Sequence, residues 1–318
     1  MAQLTIATFN CENLFQRFRF NANAPQKKID DAVQNGFLID RTLFQRLLDK
    51  EKELTAKAIA ATGADIICLQ EVENLDTLKN FCSQYLTGKN RYDHKVLIDG
   101  NDPRLIDVAI LSKLPIEAVV THQHVKGGNG RPVFSRDCLE ARFMIGAKPF
   151  SVFINHFKSM LDKNANSPEE SRKNTSAKRI AQVQAVVDIL KKQFGNNPGR
   201  SSWAVVGDFN DYMDAKTSLT ALVSQPWLEN VVDRLPINER WTHWWDTTKV
   251  PDAERYKQID YILLSQSLAM ANPTVKPQII RMGLPSKASR YSGPRFPGVG
   301  AKKPSASDHC PVTISINI

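Results

Sequence analysis

A series of short polar segments closes apolar runs along the chain: Asn10 and Glu12 in Thr8-Phe9-Asn10-Cys11-Glu12, Glu71 after Ile66-Ile67-Cys68-Leu69-Gln70, His156 after Ile154-Asn155, Asp208 and Asn210 in Val206-Gly207-Asp208-Phe209-Asn210, Asp260 in Gln258-Ile259-Asp260-Tyr261, and Asp308 and His309 in Ser307-Asp308-His309-Cys310-Pro311-Val312. These residue types suit metal-assisted hydrolysis of a phosphate ester. That reaction needs an in-line nucleophile, neutralisation of the phosphoryl oxygens and relief of the leaving alkoxide. A hard cation such as Mg²⁺ takes oxygen ligands, commonly one or two carboxylates, and Glu71 is the first candidate. An acid opening a helix near Asn74 would explain its type but not its place directly after an apolar run. Asp208 and Asn210, two residues apart beyond a strand, would face one water, the carboxylate aligning or deprotonating it and the amide fixing it. Turns and helix caps use the same residue types. His309 would touch the scissile phosphate with its ring held by Asp260, since a buried carboxylate raises imidazole basicity and selects its tautomer. His156 would protonate the leaving group or stabilise the pentacovalent phosphate from the opposite side; which histidine is acid and which base stays open. Asn10 would hydrogen-bond a phosphoryl oxygen or the catalytic acids, Asp308 would bind a metal or its water, and Lys158 is a phosphate-contact candidate, although most lysines are simply solvated.

Taken in chain order, GDFN, QIDYILLS and SDHCPV resemble the endonuclease/exonuclease/phosphatase superfamily, whose members include deoxyribonuclease I, apurinic/apyrimidinic endonucleases, bacterial sphingomyelinases and inositol polyphosphate 5-phosphatases. Each piece alone is weak; their order and spacing over residues 5–316 carry the likeness. The resemblance implies a four-layered α/β sandwich of the deoxyribonuclease I type: two mixed, mostly antiparallel sheets packed face to face, helices outside, and the site at one end. It also implies Glu71 as metal ligand. Glu12 matches an acidic position of the apurinic/apyrimidinic branch and would support a second ion, with Asp308 as a further metal residue. Arg136 resembles the arginine that approaches phosphate in deoxyribonuclease-like members, unless Asp137 pairs it structurally. A histidine at a strand end is more often structural, but His156 and His309, two of only six, both fall on superfamily motif positions. The segment around Asp260 looks closer to the nuclease branches than to the 5-phosphatases, which place Cys-Asp-Arg there.

Lys and Arg outnumber Asp and Glu by 42 to 33, a net charge of +9, and several acids belong to the expected site. Such a field favours polyanions, nucleic acid first and anionic membrane second, although many soluble proteins are basic. Residues 281–307 hold Arg281, Lys287, Arg290, Arg295, Lys302 and Lys303 without an acid, among many Gly and Pro. This composition predicts a long surface loop abutting Asp308 and His309, either gripping substrate through Arg290 and Arg295 or tolerated as an insertion. The five scattered cysteines show neither metal spacing nor a disulfide framework and read as reduced thiols. No apolar run is long enough to cross a bilayer, so stable membrane insertion is not expected. The N-terminal residues show no signal peptide, which favours the cytoplasm unless an export signal has been trimmed; no protein partner is implied.

The positioning elements follow from periodicity. Residues 3–9 and 65–70 read as strands, joined by a long helix through Leu38, Leu43, Leu47, Leu54 and Ala58 that Gly63 would cap; residues 16–36 look like a surface insertion without chemistry. Residues 105–111, 116–122 and 139–145 suggest an antiparallel meander, 150–155 a strand, Ile180 to Leu190 a second long helix ending before Gly195, and 203–208 a buried strand delivering Asp208. Trp241, Trp244 and Trp245 would wall the site or pack in the core. Because motifs from Asn10 to His309 must converge, residues 1–318 are expected to form a single domain. The leading expectation is a Mg²⁺-dependent phosphodiesterase, with Mn²⁺ or Ca²⁺ as alternatives, cutting DNA with low sequence specificity. A sphingomyelinase-like phospholipid phosphodiesterase is the second reading and a non-catalytic nucleic-acid-binding scaffold the third.

Overall fold

Alternation along the first strand, Gln3–Leu14, sets the layering: Leu4 and Ile6 face one side, Ala7 and Phe9 the other, and all are buried. The computed structural model describes residues 2–36, 43–47, 49–214 and 216–318. Gln3–Leu14 lies inside a six-stranded sheet whose order is Gln278–Ile279, Val312–Asn317, Gln3–Leu14, Ile66–Val72, Asp107–Ser112, His94–Leu97. It runs parallel to Ile66–Val72 and antiparallel to Val312–Asn317. A second six-stranded sheet is ordered Leu228–Asn230, Asp260–Ser265, Trp203–Asp208, Lys148–His156, Leu139–Ile145, Ala118–Val120, with its parallel pair at its centre between Trp203–Asp208 and Lys148–His156.

The sheets meet face to face. Ile6, Cys68 and Ile110 of the first pack with Ala141, Val152, Val206 and Ile262 of the second. On the outer face of the first sheet, Phe9, Ile67 and Leu69 meet Leu54 and Ile59 of helix Asp49–Ala61 and Leu78 and Phe81 of helix Leu75–Tyr85. Outside the second, Phe153, Trp203 and Val205 meet Val183, Val186 and Leu190 of helix Pro168–Phe194. Four layers result. Each fully buried large side chain contributes roughly 1.5–3 kcal/mol, so strands covered on both faces are where a rigid scaffold is cheapest to build. Local signals agree: Asn74 caps its helix by accepting the Thr77 N–H, and Ser167 caps the Glu170 N–H with Pro168 in the first turn. No helix among the described residues is long and apolar enough to cross a membrane.

Three expectations change. The helix between the first two strands is only Asp49–Ala61; Leu43 and Leu47 flank a short strand, Phe44–Arg46, paired with Phe18–Phe20 in the region 16–36, which also contains helix Gln26–Asn35. Leu38 lies outside the described residues. Apolar spacing alone does not separate one long helix from a ribbon followed by a helix, and the Leu47 N–H bonding Arg17 O decides it. The supposed meander is split: Asp107–Ser112 belongs to the first sheet, whereas Ala118–Val120 and Leu139–Ile145 belong to the second, because strands of both sheets carry the same inward alternation. Residues 281–307 form no helix or strand but are not a mere surface loop, since Leu284, Ala288, Ala306 and Ser307 are buried.

Candidate functional site

Register brings the polar strand ends together. Asp208 pairs across from His156 on one side and Asp260 on the other, and Asn10 lies opposite Gln70, next to Glu71. The close approach of the central strands requires Gly207, where a Cβ would sit 1.9 Å from Asn155 O. Glu71 occupies a register shift between Gln70 and Val72, a bulge that turns its carboxylate off the ladder. Glu71 (φ 62°), Glu12 (49°), Asn13 (66°) and Asn210 (52°) are all left-handed non-glycine residues. Such conformations cost about 1–3 kcal/mol each and persist where surrounding bonds over-determine them.

Those bonds are visible. Asn10 Nδ2 donates to Asp208 Oδ2 at 3.1 Å and to Glu71 Oε1 at 3.3 Å, while the Asn13 N–H donates to Glu71 Oε2 at 3.0 Å. Asn210 gives its N–H to Asp208 Oδ1 (2.8 Å) and its Nδ2 to Asp208 Oδ2 (3.0 Å) and Phe157 O (3.1 Å). His309 Nδ1 lies 2.9 Å from Asp260 Oδ2, and Thr242 Oγ1 donates to the same oxygen at 2.7 Å. On the other side of Asp208, His156 Nε2 lies 3.5 Å from Asp208 Oδ2 and 3.8 Å from Glu71 Oε1, while His309 Nε2 is 3.9 Å from Asp208 Oδ2. The two imidazoles therefore flank one carboxylate. Thr242 escaped the sequence reading although it sits beside Trp241; its role needs a bridge between distant segments. Ser307 was also missed: its hydroxyl donates to Asn10 O and accepts the His309 N–H.

Burial then sorts protonation. Desolvation, helped by Asp260, pushes Asp208 up to about 7 against the opposing pull of His309 and the bonds from Asn10 and Asn210. Burial, with the charges of Arg136 and His309, drives His156 well below the usual imidazole range. His309 moves the other way: burial opposes its charge, but Asp260, Asp208 and Asp308 outweigh it and raise the ring well above that range. Glu12 is raised by burial and by Asp308 despite Lys303. Asp308 ends well below the carboxylate range because His243, His309 and Lys303 together overcome burial.

The basic candidates are placed differently. Arg136 is 2 % exposed, with Nε 3.1 Å from Asp102 Oδ2; Asp137 instead accepts the His122 N–H. Asp102 also holds Arg104. Among the described residues, Lys158 Nζ donates to Ser159 O and Leu161 O, and its pKa is lowered by burial and by Arg136. Arg290 donates to Asn238 O and lies over the Tyr256 ring, while Arg295 donates to Leu284 O, Ala288 O and Tyr291 O. Trp241 and Trp244 are core residues packed with Cys310, and Trp245 is 37 % exposed.

A hard divalent cation fits this chemistry. Glu71, Glu12 and Asp308 are partly exposed carboxylates, and both Glu71 oxygens are already aimed by the Asn10 and Asn13 donors. Glu12 Oε2 also accepts Lys303 Nζ at 2.7 Å and the Asp308 N–H at 3.0 Å, so a cation there would displace or share that lysine. Two groups among the described residues combine donors closely enough for an ion: Asp208 with Asp260 and His309, and His243 with Asp308 and His309.

The model of the Endonuclease/Exonuclease/phosphatase family matches residues 7–309. No curated protein matches the chain. Among solved structures, truncated TDP2 of Caenorhabditis elegans superimposes with a TM-score of 0.60 at 15% identity, covering 99% of this chain and 98% of that one. A mannosyl-6-phosphatase of Bacteroides thetaiotaomicron gives 0.57 at 16% identity over 99% of this chain and 100% of its own. TDP2 of D. rerio complexed with single-strand DNA product gives 0.56 at 15% identity over the whole of both chains. At such identities the likeness is one of fold, the deoxyribonuclease I-like sandwich.

Proposed function

Since the chain belongs to the endonuclease/exonuclease/phosphatase family, whose enzymes are phosphoesterases typically dependent on a divalent metal, we propose that it is a Mg²⁺-dependent phosphodiesterase cutting DNA with low sequence specificity. The carrying observation is the pair His156 and His309 on either side of Asp208, at 3.5 and 3.9 Å. Asp208, raised toward neutrality, takes the proton of a water that Asn210 orients, and a base is most effective with its pKa near the working pH. Asp260 and Thr242 fix the His309 ring so that Nε2 faces the phosphate as a cationic donor. Neutral His156 stands on the far side, and Asn10 supports both Asp208 and a phosphoryl oxygen. Held by Glu71, with Asp308 and Glu12, the cation would neutralise the phosphoryl oxygens and the leaving alkoxide. Arg136, buried against Asp102, and Lys158 add positive charge near His156, and Arg290 and Arg295 belong to the loop beside the site. Residues 1–318 act as one catalytic domain in the cytoplasm.

DNA is favoured over other esters by the net charge of +9 and by the DNA product bound in the D. rerio TDP2 structure. Because the sandwich is shared with a mannosyl-6-phosphatase, the substrate is tested by one panel: supercoiled plasmid, single strands, RNA, an abasic duplex, sphingomyelin and a sugar monophosphate, each with Mg²⁺, Mn²⁺ or Ca²⁺. Plasmid nicking that weakens steeply with salt is expected, since phosphate contacts release counterions. Intact DNA alongside rapid hydrolysis of the sugar phosphate or sphingomyelin would overturn the nuclease reading.

A further inference from the structure

His243 has no part in the hydrolytic arrangement proposed above, yet the backbone sets it beside His309. The Trp244 N–H donates to Asp308 O at 2.9 Å and the Cys310 N–H to Thr242 O at 2.6 Å, which leaves His243 and His309 as directly opposed residues between those two bonds. In an antiparallel pair this non-hydrogen-bonded position brings side chains closest. The rings stand 4.6 Å apart between centroids, inclined at 54°. Asp308 completes the corner: one carboxylate oxygen is 3.6 Å from His243 Nε2 and the other 4.0 Å from His309 Nε2. All three donors lie within 4.8 Å of one another.

From this geometry we infer a binding site for a borderline transition-metal ion, Zn²⁺ above all, formed by His243 Nε2, Asp308 and His309 Nε2, whose occupation switches the enzyme off. Tetrahedral zinc with nitrogen and oxygen ligands at about 2.0–2.2 Å separates its donors by about 3.3–3.6 Å, so small side-chain rotations suffice. Two imidazoles and one carboxylate are donors that zinc takes readily and Mg²⁺ does not. The outer support is built in, because Asp260 accepts from His309 Nδ1 and leaves Nε2 outward, the arrangement that orients a metal-bound histidine. Binding releases the His309 Nε2 proton to solvent. That nitrogen is the one required at the phosphate, and Asp308 is shared with the Mg²⁺ ligands, so zinc and turnover exclude each other; this part rests on the phosphoesterase reading.

Calorimetric titration of the full chain with ZnCl₂, in excess Mg²⁺, reads the site without any activity. Hydrolysis of bis-p-nitrophenyl phosphate with Mg²⁺, titrated with Zn²⁺, reads the switch, each variant being compared with its own zinc-free rate. One zinc per chain with matching inhibition is expected, and His243→Phe and His243→Gln should weaken both binding and inhibition at least about tenfold. Unchanged zinc affinity in both folded variants, or no zinc bound over Mg²⁺, overturns the site. Zinc bound with turnover undiminished overturns the switch. Zinc bound normally by a chain that hydrolyses no ester would leave the site standing and defeat the phosphoesterase reading instead.

Discussion

The strand-end cluster and the basic loop 281–307 both looked like places to meet a phosphate, and they spend their polar groups in opposite ways. In the cluster, donors converge on carboxylates at cost: Asp208 takes bonds from Asn10 and Asn210 while buried, and Glu71 and Asn210 hold left-handed backbones to stay there. In the loop, guanidinium groups staple the chain. Arg281 donates to Trp241 O and lies 4.1 Å over that ring, and Arg295 reaches three carbonyls of its own loop. Strain and unmatched burial mark the part proposed to do chemistry, whereas satisfied donors mark the part that holds shape. Substitutions in the two regions should therefore separate rate from stability.

The largest separation is expected at Asp208→Asn. Removing the base should lower kcat for DNA and for a small diester by about 10²–10⁴-fold. Stability should move by only about 1 kcal/mol, because burial already disfavours the charge being removed while the amide forfeits part of the hydrogen bonding. A chevron or melting curve showing a loss of several kcal/mol would make Asp208 a structural residue and erase the contrast. Glu71→Gln comes next: it should raise the Mg²⁺ concentration for half-maximal activity by about 10–100-fold while leaving the maximal rate better preserved than Asp208→Asn does. An unaltered Mg²⁺ dependence would move the cation elsewhere.

How far the sequence spoke follows the same division. Asp208 and His309 could be read because each ends or borders a strand whose apolar residues announce it, and their order along the chain is a one-dimensional fact. The layering was legible for the same reason: Ile6 facing inward and Phe9 outward is a period-two pattern. What decides Glu71 is a register shift against Asp107–Ser112, and Thr242 matters only because it sits beside Asp260, 18 positions away. Neither leaves a local trace. Composition also misled in a specific way, since Arg295 has the same letter whether it faces a phosphate or three carbonyls. Leu43 and Leu47 likewise fit helical spacing, yet they border a two-strand ribbon.

Arg295→Ala probes the loop side of the comparison. Losing its bonds to Leu284 O, Ala288 O and Tyr291 O should cost about 2–3 kcal/mol, measured by denaturant unfolding, with kcat/KM for a small diester changed no more than about twofold. A large fall in kcat/KM for DNA with stability intact would instead make this arginine a substrate contact.

The smallest effect concerns Asp107, buried behind the Asp102–Arg136 pair and raised to about 6 by burial, with Asp99 and Asp102 adding to the shift and the Gly100 N–H opposing it. An acid whose folded pKa exceeds its unfolded one penalises the folded state above the folded value, and that penalty disappears as pH falls toward the unfolded value near 3.8. Asp107→Asn, which keeps an oxygen for Gly100, should therefore raise Tm at pH 8 and lose that gain by pH 4. A gain that persisted at pH 4 would have to come from packing or from the Gly100 bond. It would also show that burial does not oppose the Asp107 carboxylate, removing the electrostatic strain that sets this end of the sandwich apart from the loop.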